Sequence, residues 1–103
     1  MDYFEQTIYW LLAGSKGALN RLKIISDLEK KPMNMNELSK KTGLNYTTIQ
    51  HHIDLLLENN LLVERGSKYG KVLFISSQLI EKNSLVKKLF DESVLHGEKN
   101  EQK

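Results

Sequence analysis

Residues 34–53 read Asn34-Met35-Asn36-Glu37-Leu38-Ser39-Lys40-Lys41-Thr42-Gly43-Leu44-Asn45-Tyr46-Thr47-Thr48-Ile49-Gln50-His51-His52-Ile53. Asn34 is a helix-capping residue, and Glu37 follows it by three positions. That spacing lets each side chain satisfy a backbone N–H beside the other, a capping box. Met33 and Leu38 flank it where an apolar staple would sit. The helix so started runs to about Thr42, because Gly43 supplies the left-handed conformation that ends a helix without steric cost. Asn45 then caps a second helix. One short helix therefore stops, turns over Gly43-Leu44-Asn45, and another begins.

The second helix runs from Tyr46 to about Asn59. At roughly 100° per residue, Ile49, Ile53, Leu56 and Leu57 share one arc and face a core. Thr47, Gln50, His51, Asp54 and Glu58 fall on the opposite arc, and Tyr46 lies at the first turn beside the core edge. A short capped helix, a three-residue turn and a helix with a polar outer face have helix-turn-helix form.

Outward from this unit, the period changes after Asn59-Asn60. Leu61–Arg65 and Lys71–Ile75 are β-rich runs, separated by Gly66-Ser67-Lys68-Tyr69-Gly70. They predict a hairpin whose tip region carries Arg65, Lys68 and Lys71. Upstream, a helix spans about Ala18–Lys31, with Leu22, Ile25 and Leu28 as its stripe, widened by Ile24. Arg21, Lys23, Asp27 and Lys30 lie off that stripe, and Arg21 is expected to do no more than pair with Asp27 or Glu29. Pro32, the only proline, stops the helix. Terminal helices are expected over residues 3–13 and 79–95, and a polar, flexible tail over 97–103. The fold class is mainly α with a small β-hairpin wing, one domain over residues 1–96.

Composition bounds the chemistry. The chain has 103 residues, 40% apolar and 27% charged, which suits one globular domain. With no Cys, disulfides and thiolate metal sites are excluded. The apolar stretch Ile8–Ala13 is too short to span a bilayer and is preceded by Asp2 and Glu5, so a cytoplasmic protein is expected. No phosphate loop, metal-ligand spacing or nucleophile elbow is present, so no catalytic residue, no metal and no cofactor is assigned. Adjacent His51 and His52 point about 100° apart and do not chelate one ion together; His52 is expected beside the core. The formal net charge is +2, unevenly spread. Residues 16–71 hold ten Lys and Arg against six Asp and Glu, and the ends hold five against seven. The middle therefore carries the positive field.

The run Glu37–Ile53, with Asn59-Asn60-Leu61-Leu62 at the exit into the hairpin, resembles the signature of winged helix-turn-helix regulators of the ArsR-like type. Leu11–Gly17 followed by Asn20-Arg21-Leu22-Lys23-Ile24 is similar to archaeal members. The resemblance covers residues 11–76 and implies a DNA-binding transcriptional regulator. The metal-sensing branch uses Cys pairs or His and acid clusters, and this chain has no Cys, so metal sensing is not expected. At Asp54 many relatives carry a basic or neutral residue, so the usual phosphate contact is not expected there. On this reading the helix 46–59 enters the major groove and the wing 62–75 lies on the backbone or minor groove. Gln50 would read adenine; Thr47, Thr48 and His51 would meet bases or phosphates; Asp54 would accept from cytosine N4; Tyr46 would use its hydroxyl. Arg65, Lys68, Lys71, Lys40 and Lys41 would hold phosphates.

The first helix carries Tyr3, Phe4, Ile8, Tyr9, Trp10, Leu11 and Leu12, more apolar surface than so small a core covers. A symmetric homodimer is expected through the terminal helices, its recognition helices about 34 Å apart, one DNA turn. The alternatives are a winged-helix module that binds proteins without DNA specificity, and a structured-RNA binder; few exposed aromatics count against single-stranded targets.

Overall fold

Asp2 begins the first helix, α1 (Tyr3–Tyr9), with a capping box: its carboxylate accepts from the Glu5 N–H at 2.7 Å, and Glu5 Oε1 accepts from the Asp2 N–H at 3.0 Å. In this computed structural model, residues 1–67 and 70–101 are described, with side chains as far as Leu95. The expected helix 3–13 is not uniform. After Tyr9 it widens into a π-helical turn, Trp10–Gly14. Side chains occupy the carbonyls there: Ser15 Oγ donates to Trp10 O at 2.6 Å and Arg21 Nε to Leu11 O at 2.8 Å.

Helix α2 (Ala18–Lys30) ends just ahead of Pro32, as its ring requires. Helix α3 (Met35–Thr42) and helix α4 (Tyr46–Glu58) follow. Strands β1 (Leu62–Ser67) and β2 (Gly70–Ile75) pair antiparallel, with Leu62 opposite Ile75 and Arg65 opposite Val72. Pairing continues through Gly66 and Lys71 to Ser67 and Gly70, so residues expected in the loop belong to the ladder. Lys68 and Tyr69, the expected tip, lie outside the described residues. On its other edge β2 is held by Met33, whose carbonyl accepts from the Leu73 N–H at 2.8 Å.

The expected helix 79–95 is two helices, α5 (Ser77–Ile80) and α6 (Asn83–Glu101). Ser76 starts the first by accepting the Leu79 N–H at 3.0 Å, a local cap that apolar spacing does not reveal. Backbone helix continues to Glu101, beyond the start of the expected tail.

One apolar core joins these elements. Ile8, Leu11, Leu22, Ile25, Leu38, Ile49, Ile53, Leu56, Leu61 and Leu73 are all buried in it, and Leu79, Val86 and Leu89 close it from the C-terminal side. Each buried Leu or Ile contributes about 1.5–3 kcal/mol against exposure, before chain entropy is counted. The core therefore grips α4 by one face and leaves the other outward.

Candidate nucleic-acid interface

The placement of α4 is built locally. Asn34 Oδ1 accepts the Glu37 N–H at 2.8 Å and Glu37 Oε1 accepts the Asn34 N–H at 3.1 Å, the reciprocal cap of α3. Gly43 ends α3 at φ 76°. Ser39 Oγ donates to Leu44 O at 2.9 Å, and the Leu44 N–H donates to Thr42 Oγ1 at 3.3 Å, so the turn is fastened to the helix before it. Lys23 Nζ donates to Thr42 O at 3.0 Å, a cation at a helix C-terminus where the backbone dipole favours it. Asn45 Oδ1 then accepts the Thr48 N–H at 2.8 Å and starts α4.

With Ile49, Ile53 and Leu56 in the core, Tyr46, Thr47, Gln50, His51 and Asp54 are exposed on the outer side of α4. Thr48 is half-buried at the cap, the least available of the expected contacts. Leu57, expected in the core arc, is half-buried at its edge. Tyr46, Gln50 and Asp54 share an open groove of about 540 Å³ with Glu64 and Lys71 of the hairpin, so helix and wing face one space. Lys71 Nζ lies 3.5 Å from Glu64, an exposed pair that water screens and a phosphate can displace. Arg65 is exposed further along β1. Lys40 and Lys41 are exposed in the last turn of α3, just before the turn into α4. Lys68 lies outside the described residues.

The largest departure from expectation is Arg21. It is 2% exposed and makes no pair with Asp27 or Glu29. Its guanidinium donates to Leu11 O, to Ser15 Oγ at 2.6 Å, to Lys16 O at 3.1 Å and to His52 Nδ1 at 3.3 Å. It thus ties the π-helical turn and the loop after it to the recognition helix. Accepting that bond requires an unprotonated Nδ1. Burial first, then the charges of Arg21 and His51, push the His52 pKa below its ordinary value. His52 is buried beside the core, as expected, but in a polar role. The spacing of Ala18, Arg21, Ile25 and Leu28 was a signal for this burial that the charge of Arg21 obscures.

Among the described residues no three His, Cys, Asp or Glu gather as metal ligands would. Among the same residues no helix is long and apolar enough to cross a membrane.

Comparison with known proteins agrees with this geometry. Residues 20–63 match the family model described as bacterial regulatory protein, arsR family. No curated protein matches the sequence. Among solved structures, one similar fold is the homodimeric winged helix-turn-helix DNA-binding domain of a possible ArsR-family regulator from Mycobacterium bovis. It shares 22% identity over 90% of this chain and 83% of that one, with a TM-score of 0.69. The transcriptional regulator HlyU from Vibrio vulnificus shares 18% identity, covering 84% of this chain and 85% of that one, with a TM-score of 0.65. A MarR transcriptional regulator from Methanosarcina mazei shares 14% identity, covering 92% and 67%, with a TM-score of 0.69. At these identities the solved structures speak for the fold, and the family match speaks for the helix-turn-helix within it. The chain thus has a winged helix-turn-helix fold, and its residues 20–63 are similar to the arsR family of bacterial regulatory proteins.

Proposed function

We propose that the protein is a cytoplasmic homodimer that binds double-stranded DNA sequence-specifically, α4 in the major groove and the hairpin on the backbone or adjacent minor groove. The observation that carries this reading is the outer side of α4. Tyr46, Thr47, Gln50, His51 and Asp54 stand exposed on a helix whose other side is locked into the core. A major groove admits one such helix, and side chains near its start reach base edges. Lys40, Lys41, Arg65 and Lys71, with Lys68 from sequence, would supply phosphate contacts that position the helix without reading bases.

The dimer is supported by apolar surface left open. Trp10 is 59% exposed and Leu19 64%, and Phe90, Val94 and Leu95 are exposed on α6. Leu19 lines a cleft of about 660 Å³ with Ala13, Leu89 and Ser93, wide enough to seat side chains of a second copy, and Trp10 lines a shallower one that shares Ala13. Leu19 lies on α2, so this face is broader than the terminal helices alone.

The test is titration of the purified protein against labelled duplexes tiling its own promoter region, with random duplex as control, at several salt concentrations. Preference for one tile, with log affinity falling linearly in log salt, supports the proposal. Equal, weak binding to all tiles refutes sequence specificity and favours a protein-interaction module using the Trp10 and Leu19 surface.

A further inference from the structure

Gln50 and Asp54 stand one turn apart on the outer side of α4, and both are exposed. Gln50 Nε2 donates to Asp54 Oδ1 at 2.9 Å. No ion pair among the described residues includes Asp54. A carboxylate on a surface meant for DNA is repelled by phosphates, so its presence there calls for a compensating role. An ionised carboxylate only accepts hydrogen bonds. It therefore decides which end of the Gln50 amide turns toward it: the nitrogen is held, and the oxygen would be repelled.

This has a consequence for base reading. The amide has two N–H bonds. With one given to Asp54, Gln50 offers a single N–H and its carbonyl oxygen. Adenine presents an N6 donor and an N7 acceptor in the major groove, which match that pair; guanine presents two acceptors, O6 and N7, and needs two donors. The second Asp54 oxygen, beside the amide, repels guanine O6 further.

We propose that Asp54 is a specificity-determining residue: by holding the Gln50 amide through its nitrogen, it makes α4 select adenine against guanine at the base pair Gln50 meets. This rests on the DNA-binding reading above. Asp54 acts through Gln50, as a positioning residue. The same carboxylate lowers affinity for every duplex alike, and a ratio of two affinities removes that common factor.

The experiment uses the preferred duplex from the tiling titration and all its single base-pair variants. The pair whose discrimination vanishes in Gln50→Ala is the one Gln50 reads. Wild type is expected to favour A over G there by about 5–150-fold, the range for one bidentate contact. Asp54→Asn is isosteric and offers an N–H that the Gln50 oxygen can accept, freeing the whole NH₂ for guanine. Its A-to-G ratio is expected to fall by about tenfold or more, while the melting temperature stays at the wild-type value. Asp54→Glu, which keeps a carboxylate at the same spacing, is expected to restore part of the ratio. An unchanged ratio in Asp54→Asn, or wild-type preference for G, overturns the inference while leaving DNA binding intact. Failure of the wild type to prefer any duplex overturns the DNA-binding reading itself, before a variant is made.

Discussion

A buried guanidinium without a carboxylate beside it is unusual, and Arg21 shows how the arrangement is sustained. Two backbone carbonyls, one hydroxyl and one imidazole nitrogen take its N–H groups. Replacing Arg21 by Met leaves buried Leu11 O without this donor, at about 1–3 kcal/mol, and also removes the part-buried bonds to Lys16 O and Ser15 Oγ. Chemical denaturation should show Arg21→Met destabilised by about 2–4 kcal/mol, among the larger single effects in the chain. His52 gives the same contact a pH dependence. Its folded pKa lies below the ordinary 6.5, chiefly through burial and then through Arg21 and His51. The folded state therefore binds fewer protons than the unfolded chain as pH falls. Stability is full above 6.5 and is lost as pH drops below it toward the folded pKa. Glu29, raised by burial above 4.5, works in the opposite sense at lower pH. The readout is thus the difference between wild type and His52→Asn. Asn offers Arg21 an acceptor that does not titrate, so urea midpoints taken from pH 7.5 to 5 should decline less in the variant. Little of this was legible in the sequence. Apolar periodicity sets a charged residue aside, and the partners of Arg21 lie up to 31 positions away.

Elements whose ends are decided within three or four residues were legible. The Asn34–Glu37 box, the Gly43 stop and the Asn45 cap all stand where their spacing puts them. The widened turn after Tyr9 and the break between α5 and α6 were not. They depend on Ser15, Arg21 and Ser76 meeting carbonyls and N–H groups that only the folded chain brings near. Two glycines separate local from tertiary cause. At Gly43 an added Cβ would meet nothing within 4 Å, so Gly43→Ala bears only the left-handed backbone penalty, about 1–2 kcal/mol. At Gly17, φ 87°, the same Cβ would approach His52 Cε1 to 2.8 Å and Arg21 Nη1 to 3.0 Å. Gly17→Ala should therefore lower the melting temperature more than Gly43→Ala. Equal losses would mean that the Arg21–His52 contact yields without strain.

For the molecule as a whole, the outer side of α4 was legible because a helix gripped along one arc must present the other. The positions of Tyr46, Thr47, Gln50, His51 and Asp54 follow from Ile49, Ile53 and Leu56 alone. The exposure of Leu19 did not follow, because Leu19 stands one turn ahead of buried Leu22 and spacing alone does not separate the two. Trp10→Glu and Leu19→Glu each place a charge on the open apolar face without entering the core. Light scattering should find a dimer of 11.9-kDa chains for wild type and a monomer for both variants, with unchanged circular dichroism. Both variants should also lose affinity for a two-half-site duplex far more than for a single half-site, because linked sites raise effective concentration. Wild type that scatters as a monomer would remove the dimer from the proposal.

The π-helical turn at Trp10–Gly14 carries a genetic consequence. Such a turn is an ordinary helix with one codon too many. Losing any one residue of the five would let the α-helix close up without a break. Because a turn closed i→i+5 makes about the same rotation as one closed i→i+4, everything upstream would keep its phase. Ile8, now buried, would stay turned toward the core. An in-frame deletion within the turn would therefore be borne by the N-terminal helix better than the same deletion within Tyr3–Tyr9, which has no spare residue and would swing what precedes it by about 100°.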